Sequence, residues 1–123
     1  MIENNSYIKF LSSFQKIESS NAAVGLDLVG ESLLGYIAVN FAKGLTLTVT
    51  ECMRIDTVAS PATIHRKISE LTEEGWIHSI YDGENRRTKY LAPTTKAVKY
   101  FEKVSKLIAV SYTHLTLPTI LRV

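Results

Sequence analysis

The sequence predicts a mainly α-helical chain with one small β-hairpin, an α+β fold. Three observations support this. Apolar residues recur at helical spacing before and after the middle of the chain. One β-prone stretch turns back on itself around Asp82-Gly83-Glu84-Asn85. Ser60-Pro61, a cap residue followed by proline at the first helical position, opens the helix that leads into that hairpin. The 123 residues suit one core, and a chain 46% hydrophobic and 21% charged is neither disordered nor collagen-like.

The elements follow in order. Tyr7, Phe10, Leu11, Phe14 and Ile17 recur at i, i+3, i+4, i+7 and i+10, an amphipathic helix with Asn5 or Ser6 as cap, ended by Ser19-Ser20-Asn21. Asp27 caps a second helix running to about Lys43. Its Leu33, Leu34, Ile37 and Phe41 share one stripe, and Gly44 stops it. Leu45-Thr46-Leu47 is short and β-prone, and Thr48 or Thr50 starts a short third helix reaching Arg54 to Thr57.

The helix from Ser60 to about Glu74 is the most informative, with Gly75 placed for a left-handed stop. At about 100° per residue, Ile64, Ile68 and Leu71 lie on one face. Ala62, Arg66, Ser69 and Glu73 lie opposite, flanked by Thr63 and His65. Two helices joined by a tight connection, the second exposing small and basic residues near its start, describe a helix-turn-helix. Trp76 to Tyr81 and Arg86 to Leu91 then form a hairpin with a polar, basic tip, closed by Pro93. Thr94 or Thr95 caps a last helix carrying Ala97, Val98, Phe101, Val104 and Leu107. Together these elements make a winged helix-turn-helix. Its expected divisions are an N-terminal helix for dimerisation at 1–25, the winged domain at 26–94 and a C-terminal helix at 95–109.

Charge is uneven along the chain. Residues 1–44 hold three basic and four acidic side chains, whereas residues 45–109 hold ten basic and eight acidic ones. Arg66-Lys67 and Arg86-Arg87-x-Lys89 form basic clusters, which suits either a local anionic partner or a solvated face. Enzyme readings find no support: there is no Gly-rich phosphate loop, no Ser/His/Asp spacing and no metal pattern, and no cofactor is expected. Cys52 is the one cysteine, which excludes an internal disulfide, and it reads as a small core residue. Charge-free runs such as Ser32–Ala42 fall short of the roughly 18–20 apolar residues of a membrane span, and the start has no basic signal region. The expected setting is the cytoplasm, without a membrane partner.

Leu47-Thr48-Val49-Thr50-Glu51, Ser60-Pro61-Ala62-Thr63-Ile64-His65-Arg66-Lys67-Ile68, Leu71-x-x-x-Gly75-Trp76-Ile77 and the wing Asp82-Gly83-Glu84-Asn85-Arg86-Arg87 with Leu91-x-x-Thr94 together resemble the MarR family of bacterial transcriptional regulators over residues 26–107. The resemblance implies a homodimer that binds double-stranded DNA at a pseudo-palindromic site, with the 60–74 helix in the major groove and the 76–91 wing on backbone or in the minor groove. A small-molecule effector of unknown identity fits the same picture. Three features depart from the family: Asn85 stands where an aspartate is usual, Lys67 where an apolar residue is usual, and the turn between the two helices of the motif is about one residue longer. Lys67 is therefore expected to lay its stem on the core and send its ammonium outward.

The candidate DNA-binding residues are Ser60, Ala62, Thr63, His65, Arg66, Lys67, Arg86, Arg87 and Lys89. Arg66 suits guanine N7 and O6 or a phosphate, or else an ion pair with Glu70 one turn on. Ser60 and Thr63 suit phosphate or base edges at a helix N-terminus. His65 reads as an exposed flank or a DNA contact. Of Arg86 and Arg87, one suits the minor groove and the other a brace to Asp82 or Glu84; Lys89 suits backbone. Two other readings stand beside this one: a winged-helix module that binds protein, and a plasmid or phage replication or copy-control protein.

Residues 110–119, Val-Ser-Tyr-Thr-His-Leu-Thr-Leu-Pro-Thr, break the helical pattern. They resemble the translation of an adapter used in transposase-based sequencing libraries. Residues 110–123 are accordingly expected to be a non-native tail, with no function for His114 or Arg122.

Overall fold

The computed structural model describes residues 2–82 and 85–116, apart from the side chains of Glu3, Asp82, Asn85, Arg86, Arg87 and residues 109–116. A short 3-10 turn at Ile2–Asn4 precedes helices α1 (Ser6–Ala23), α2 (Leu28–Ala42), α3 (Val49–Met53) and α4 (Pro61–Glu73). Strands β1 (Ile77–Asp82) and β2 (Asn85–Pro93) follow, then helix α5 (Thr95–Thr116). The mainly helical chain with a two-stranded antiparallel hairpin is the α+β winged helix-turn-helix expected. It divides into two compact units, Leu26–Val98 and Met1–Gly25 with Lys99–Val123.

The first unit holds α2, α3, α4 and the hairpin. Its core is Leu33, Leu34 and Ile37 of α2, Cys52 of α3, Ile64, Ile68 and Leu71 of α4, and Trp76, Ile77, Leu91 and Ala92 at the hairpin, all buried. Local chemistry fixes the helix starts. Asp27 Oδ1 accepts from the Gly30 amide at 2.7 Å. Thr48 and Glu51 cap each other's backbone amides at 2.9 and 3.1 Å, a reciprocal capping box that selects Thr48 over Thr50. Ser60 Oγ accepts from the Thr63 amide at 3.3 Å, with Pro61 at the first helical position. Gly75, at φ +83°, then turns the chain from α4 into β1.

The strands pair Ile77 with Pro93 through Tyr81 with Lys89, and the register then shifts so that Asp82 meets Asn85. Pro93 sits at the strand end, where its missing N–H breaks no ladder bond. A single bridge from Leu47 to Leu91, with the Leu91 amide donating to the Leu47 carbonyl at 2.8 Å, is what becomes of the β-prone 45–47 stretch. The wing's base is clamped. Thr94 Oγ1 donates to the Gly75 carbonyl at 2.5 Å and accepts from the Ala97 amide at 3.2 Å, which makes Thr94 the cap of α5. Lys96 donates to the Glu74 carbonyl at 2.7 Å, with its ammonium 4.3 Å from the centre of the Trp76 ring.

In the second unit, α1 does not end at Ser19-Ser20-Asn21 as expected but continues to Ala23. These polar residues have a tertiary use: the Tyr100 hydroxyl of α5 bonds Ser20 Oγ at 2.9 Å and Asn21 Oδ1 at 2.5 Å. Gly25, at φ +85°, follows the true end.

Four other expectations are corrected. The third helix stops at Met53, with Arg54 at its C-cap. Phe41 does not share the buried stripe of α2 but is 41% exposed, and Val98 is 46% exposed, while Tyr100 is the buried aromatic of α5. The last helix does not end near Ala109 but reaches Thr116. The physical reason is the sequence before Pro118: from Thr95 to Thr116 it holds no glycine or proline, and helices usually end at or before the residue preceding a proline.

Candidate nucleic-acid interface

The amphipathic division of α4 builds the candidate surface. Because Ile64, Ile68 and Leu71 are anchored in the core, the opposite face turns outward as the 100° step requires. Ser60, Ala62, His65, Arg66 and Ser69 are exposed, and Thr63 and Lys67 are half-buried. Ser60 Oγ donates to Thr63 Oγ1 at 2.9 Å, so the two hydroxyls meet at the helix start beside the positive end of its dipole. Ser69 Oγ bonds back to the His65 carbonyl at 3.4 Å, within the helix.

Arg66 has 68% of its side chain exposed, with Nε 3.6 Å from Glu70 Oε2. The ion pair weighed from the sequence is therefore present in the geometry. An exposed pair of this kind contributes only about 0.2–0.5 kcal/mol, too little to hold a guanidinium against a better acceptor. Lys67 differs. Its stem is covered, but its ammonium turns to two carboxylates, 2.7 Å from Asp27 Oδ2 and 2.8 Å from Glu70 Oε1. These contacts raise the Lys67 pKa, with the Asp27 bond the largest cause and the Glu70 bond next. The Asp27 carboxyl is held below its ordinary range, first by Lys67 and then by the Gly30 amide.

On the wing, Lys89 is exposed on β2, with its ammonium 5.9 Å from the centre of the half-exposed Tyr81 ring. The backbones of Arg86 and Arg87 run within β2, and their side chains lie outside the described residues, as do the contacts expected of Asp82 and Glu84. Cys52 is fully buried, and burial, with Glu51 nearby, pushes its thiol up to about 11. That is the opposite of what a reactive thiol needs. Among the described residues, no cluster of His, Cys, Asp and Glu has the makings of a metal site, and no single helix is long and apolar enough to cross a membrane.

Sequence reasoning missed Lys96 and Asp27 as parts of this surface's support. Glu70, at i+3 from Lys67, was a visible partner. Asp27, 40 residues away, gave no local signal.

A helix-turn-helix whose second helix exposes small and basic residues near its start, followed by a clamped hairpin, defines a winged helix-turn-helix protein. The arrangement is the fold of MarR-family regulators. The S. aureus MepR–DNA complex superposes with a TM-score of 0.66 at 16% identity, over 96% of this chain and 87% of that one. Wild-type MarR from E. coli in its apo form gives 0.56 at 12% identity, over 94% and 86%. A MarR-family transcriptional regulator from Silicibacter pomeroyi gives 0.58 at 22% identity, over 92% and 72%. No protein-family model matches the chain, and no curated protein does. At these identities the likeness is one of fold.

Proposed function

We propose that the chain is a sequence-specific transcriptional regulator of MarR type that binds double-stranded DNA in the cytoplasm as a homodimer. In this reading α4 enters the major groove, Arg66 reads a base edge there, and the β1–β2 wing lies on backbone or in the minor groove. The observation that carries it is the outward face of α4. Ser60, Thr63, His65 and Arg66 stand together near the N-terminus of a helix whose other side is locked in the core. Most of the Arg66 side chain is exposed, and its ion pair with Glu70 is long. The MepR–DNA complex of the same fold adds weight.

Dimerisation is read from α1. Tyr7, Phe10 and Phe14 are 65%, 45% and 41% exposed. The Phe10 and Phe14 rings stack with centroids 6.1 Å apart. Exposed aromatics in a row suit a second copy, and a two-fold protein suits two DNA half-sites.

The test is selection of a duplex from a random-sequence pool, followed by affinity against salt for that duplex and a scrambled one. Arg66→Ala should cost about 1–3 kcal/mol on the selected duplex and relax preference at one base pair per half-site. Failure to select any duplex, with Arg66→Ala indistinguishable from the parent, would sink the reading in favour of a protein-binding winged helix.

A further inference from the structure

The two neighbouring cations of α4 stand in opposite situations. Arg66 has 68% of its side chain exposed, whereas Lys67 has 12%. The Lys67 ammonium donates to Asp27 Oδ2 at 2.7 Å and to Glu70 Oε1 at 2.8 Å. The other oxygen of Asp27 accepts from the Gly30 amide at 2.7 Å, so one carboxylate both caps α2 and holds α4. The junction is close-fitting. A Cβ placed on Gly30 would lie 3.0 Å from Asp27 Oδ1 and 3.7 Å from Lys67 Cδ. Turning the ammonium toward a phosphate would break two charge-assisted hydrogen bonds and leave two carboxylates without their cation beside DNA. Glu70 is also the partner of Arg66, 3.6 Å from Nε, so a Glu70 already neutralised by Lys67 holds the arginine more weakly.

We propose that Lys67 is a positioning residue for DNA reading and makes no DNA contact itself. Through Asp27 it fixes α4 against the start of α2, and through Glu70 it leaves Arg66 available to a base. The assignment rests on the DNA-binding reading above and replaces the direct contact that the sequence suggested for Lys67.

Asp27→Asn separates positioning from simple electrostatics. Asparagine caps a helix about as well as aspartate, so α2 keeps its start while the ion pair to Lys67 is lost. The variant has one negative charge fewer, which by long-range attraction alone would tighten binding to any DNA. Positioning demands the reverse on the parent-selected duplex. Binding there should weaken about two- to fivefold, while the scrambled duplex binds no more weakly than before. Lys67→Met, which keeps the apolar stem, should weaken selected-duplex binding with the salt slope unchanged. A phosphate contact would instead lower that slope by about one unit per half-site. Hydrogen exchange on the DNA-free protein gives a second readout: Asp27→Asn should speed exchange of α4 amides and leave α2 amides as they are. Tighter binding of the selected duplex by Asp27→Asn, a lowered salt slope in Lys67→Met, or unchanged α4 exchange would each overturn the proposal. A parent that selects no duplex removes the DNA-binding reading, and with it the role in DNA reading. Exchange then still decides whether Lys67 fixes α4.

Discussion

Helices α1 and α4 carry the same kind of apolar stripe and treat it in opposite ways. In α4 the stripe Ile64, Ile68 and Leu71 is buried, and the polar face is left to solvent. In α1 the aromatic stripe Tyr7, Phe10 and Phe14 is exposed, and the buried residues are Ser13 and Asn21. Periodicity therefore locates a stripe without saying what covers it. For α4 the cover is the chain's own core. For α1 the proposed cover is a second copy.

The largest test of that contrast is truncation on both sides. Leu71→Ala should lower unfolding free energy by about 2–5 kcal/mol at any protein concentration, as measured by denaturant titration. Phe14→Ala should cost under about 1 kcal/mol in dilute protein, where no partner covers the ring, and should weaken self-association in sedimentation. Equal, concentration-independent losses from the two would erase the distinction.

A smaller effect sharpens the picture of α4. Ser60→Ala removes the cap from the Thr63 amide and should cost about 1 kcal/mol in thermal or chemical denaturation. It should also weaken binding to selected DNA, since the Ser60 hydroxyl is lost and the Thr63 hydroxyl loses its partner.

Smaller still is a pH dependence centred on Asp27 and Lys67. The native Asp27 pKa lies below its ordinary 3.8, so its contribution is present above that value and is lost as pH falls through the lower native one. The native Lys67 pKa lies above 10.5, so its contribution is present below 10.5 and is lost as pH rises through the higher native one. The stability difference between parent and Asp27→Asn should thus be flat near neutrality and shrink in acid below about pH 4. A difference that grew in acid would contradict the pairing.

The smallest expected effect is none. Removing residues 110–123, proposed as a non-native tail although α5 is helical to Thr116, should leave affinity for the selected duplex unchanged. A clear loss would make those residues part of the working protein.

Much of the fold was legible because its signals are local. Ser60-Pro61, Asp27, Gly44 and Gly75 act within one helical turn, and the Ile64, Ile68 and Leu71 spacing fixes which face of α4 turns inward. The hairpin was equally plain from β-prone runs around a turn. Of the candidate site, the exposed face of α4 could be read the same way, since a helix anchored on one side has no freedom about the other.

The sequence by itself therefore determined the order of elements, the caps Asp27 and Ser60, and the outward face carrying Ser60, Thr63, His65 and Arg66. Only the tertiary structure decided what depends on distant partners. Asp27 reaches Lys67 across 40 positions and takes its ammonium as a partner. Tyr100 takes Ser20 and Asn21 as partners, so residues that read as a helix stop are carried on through Ala23. Lys96 closes the end of α4 from the start of α5. A cap or a periodicity acts over three or four residues and is written in order along the chain. A carboxylate or hydroxyl tens of residues away acquires its partner only when packing brings the two within hydrogen-bond reach.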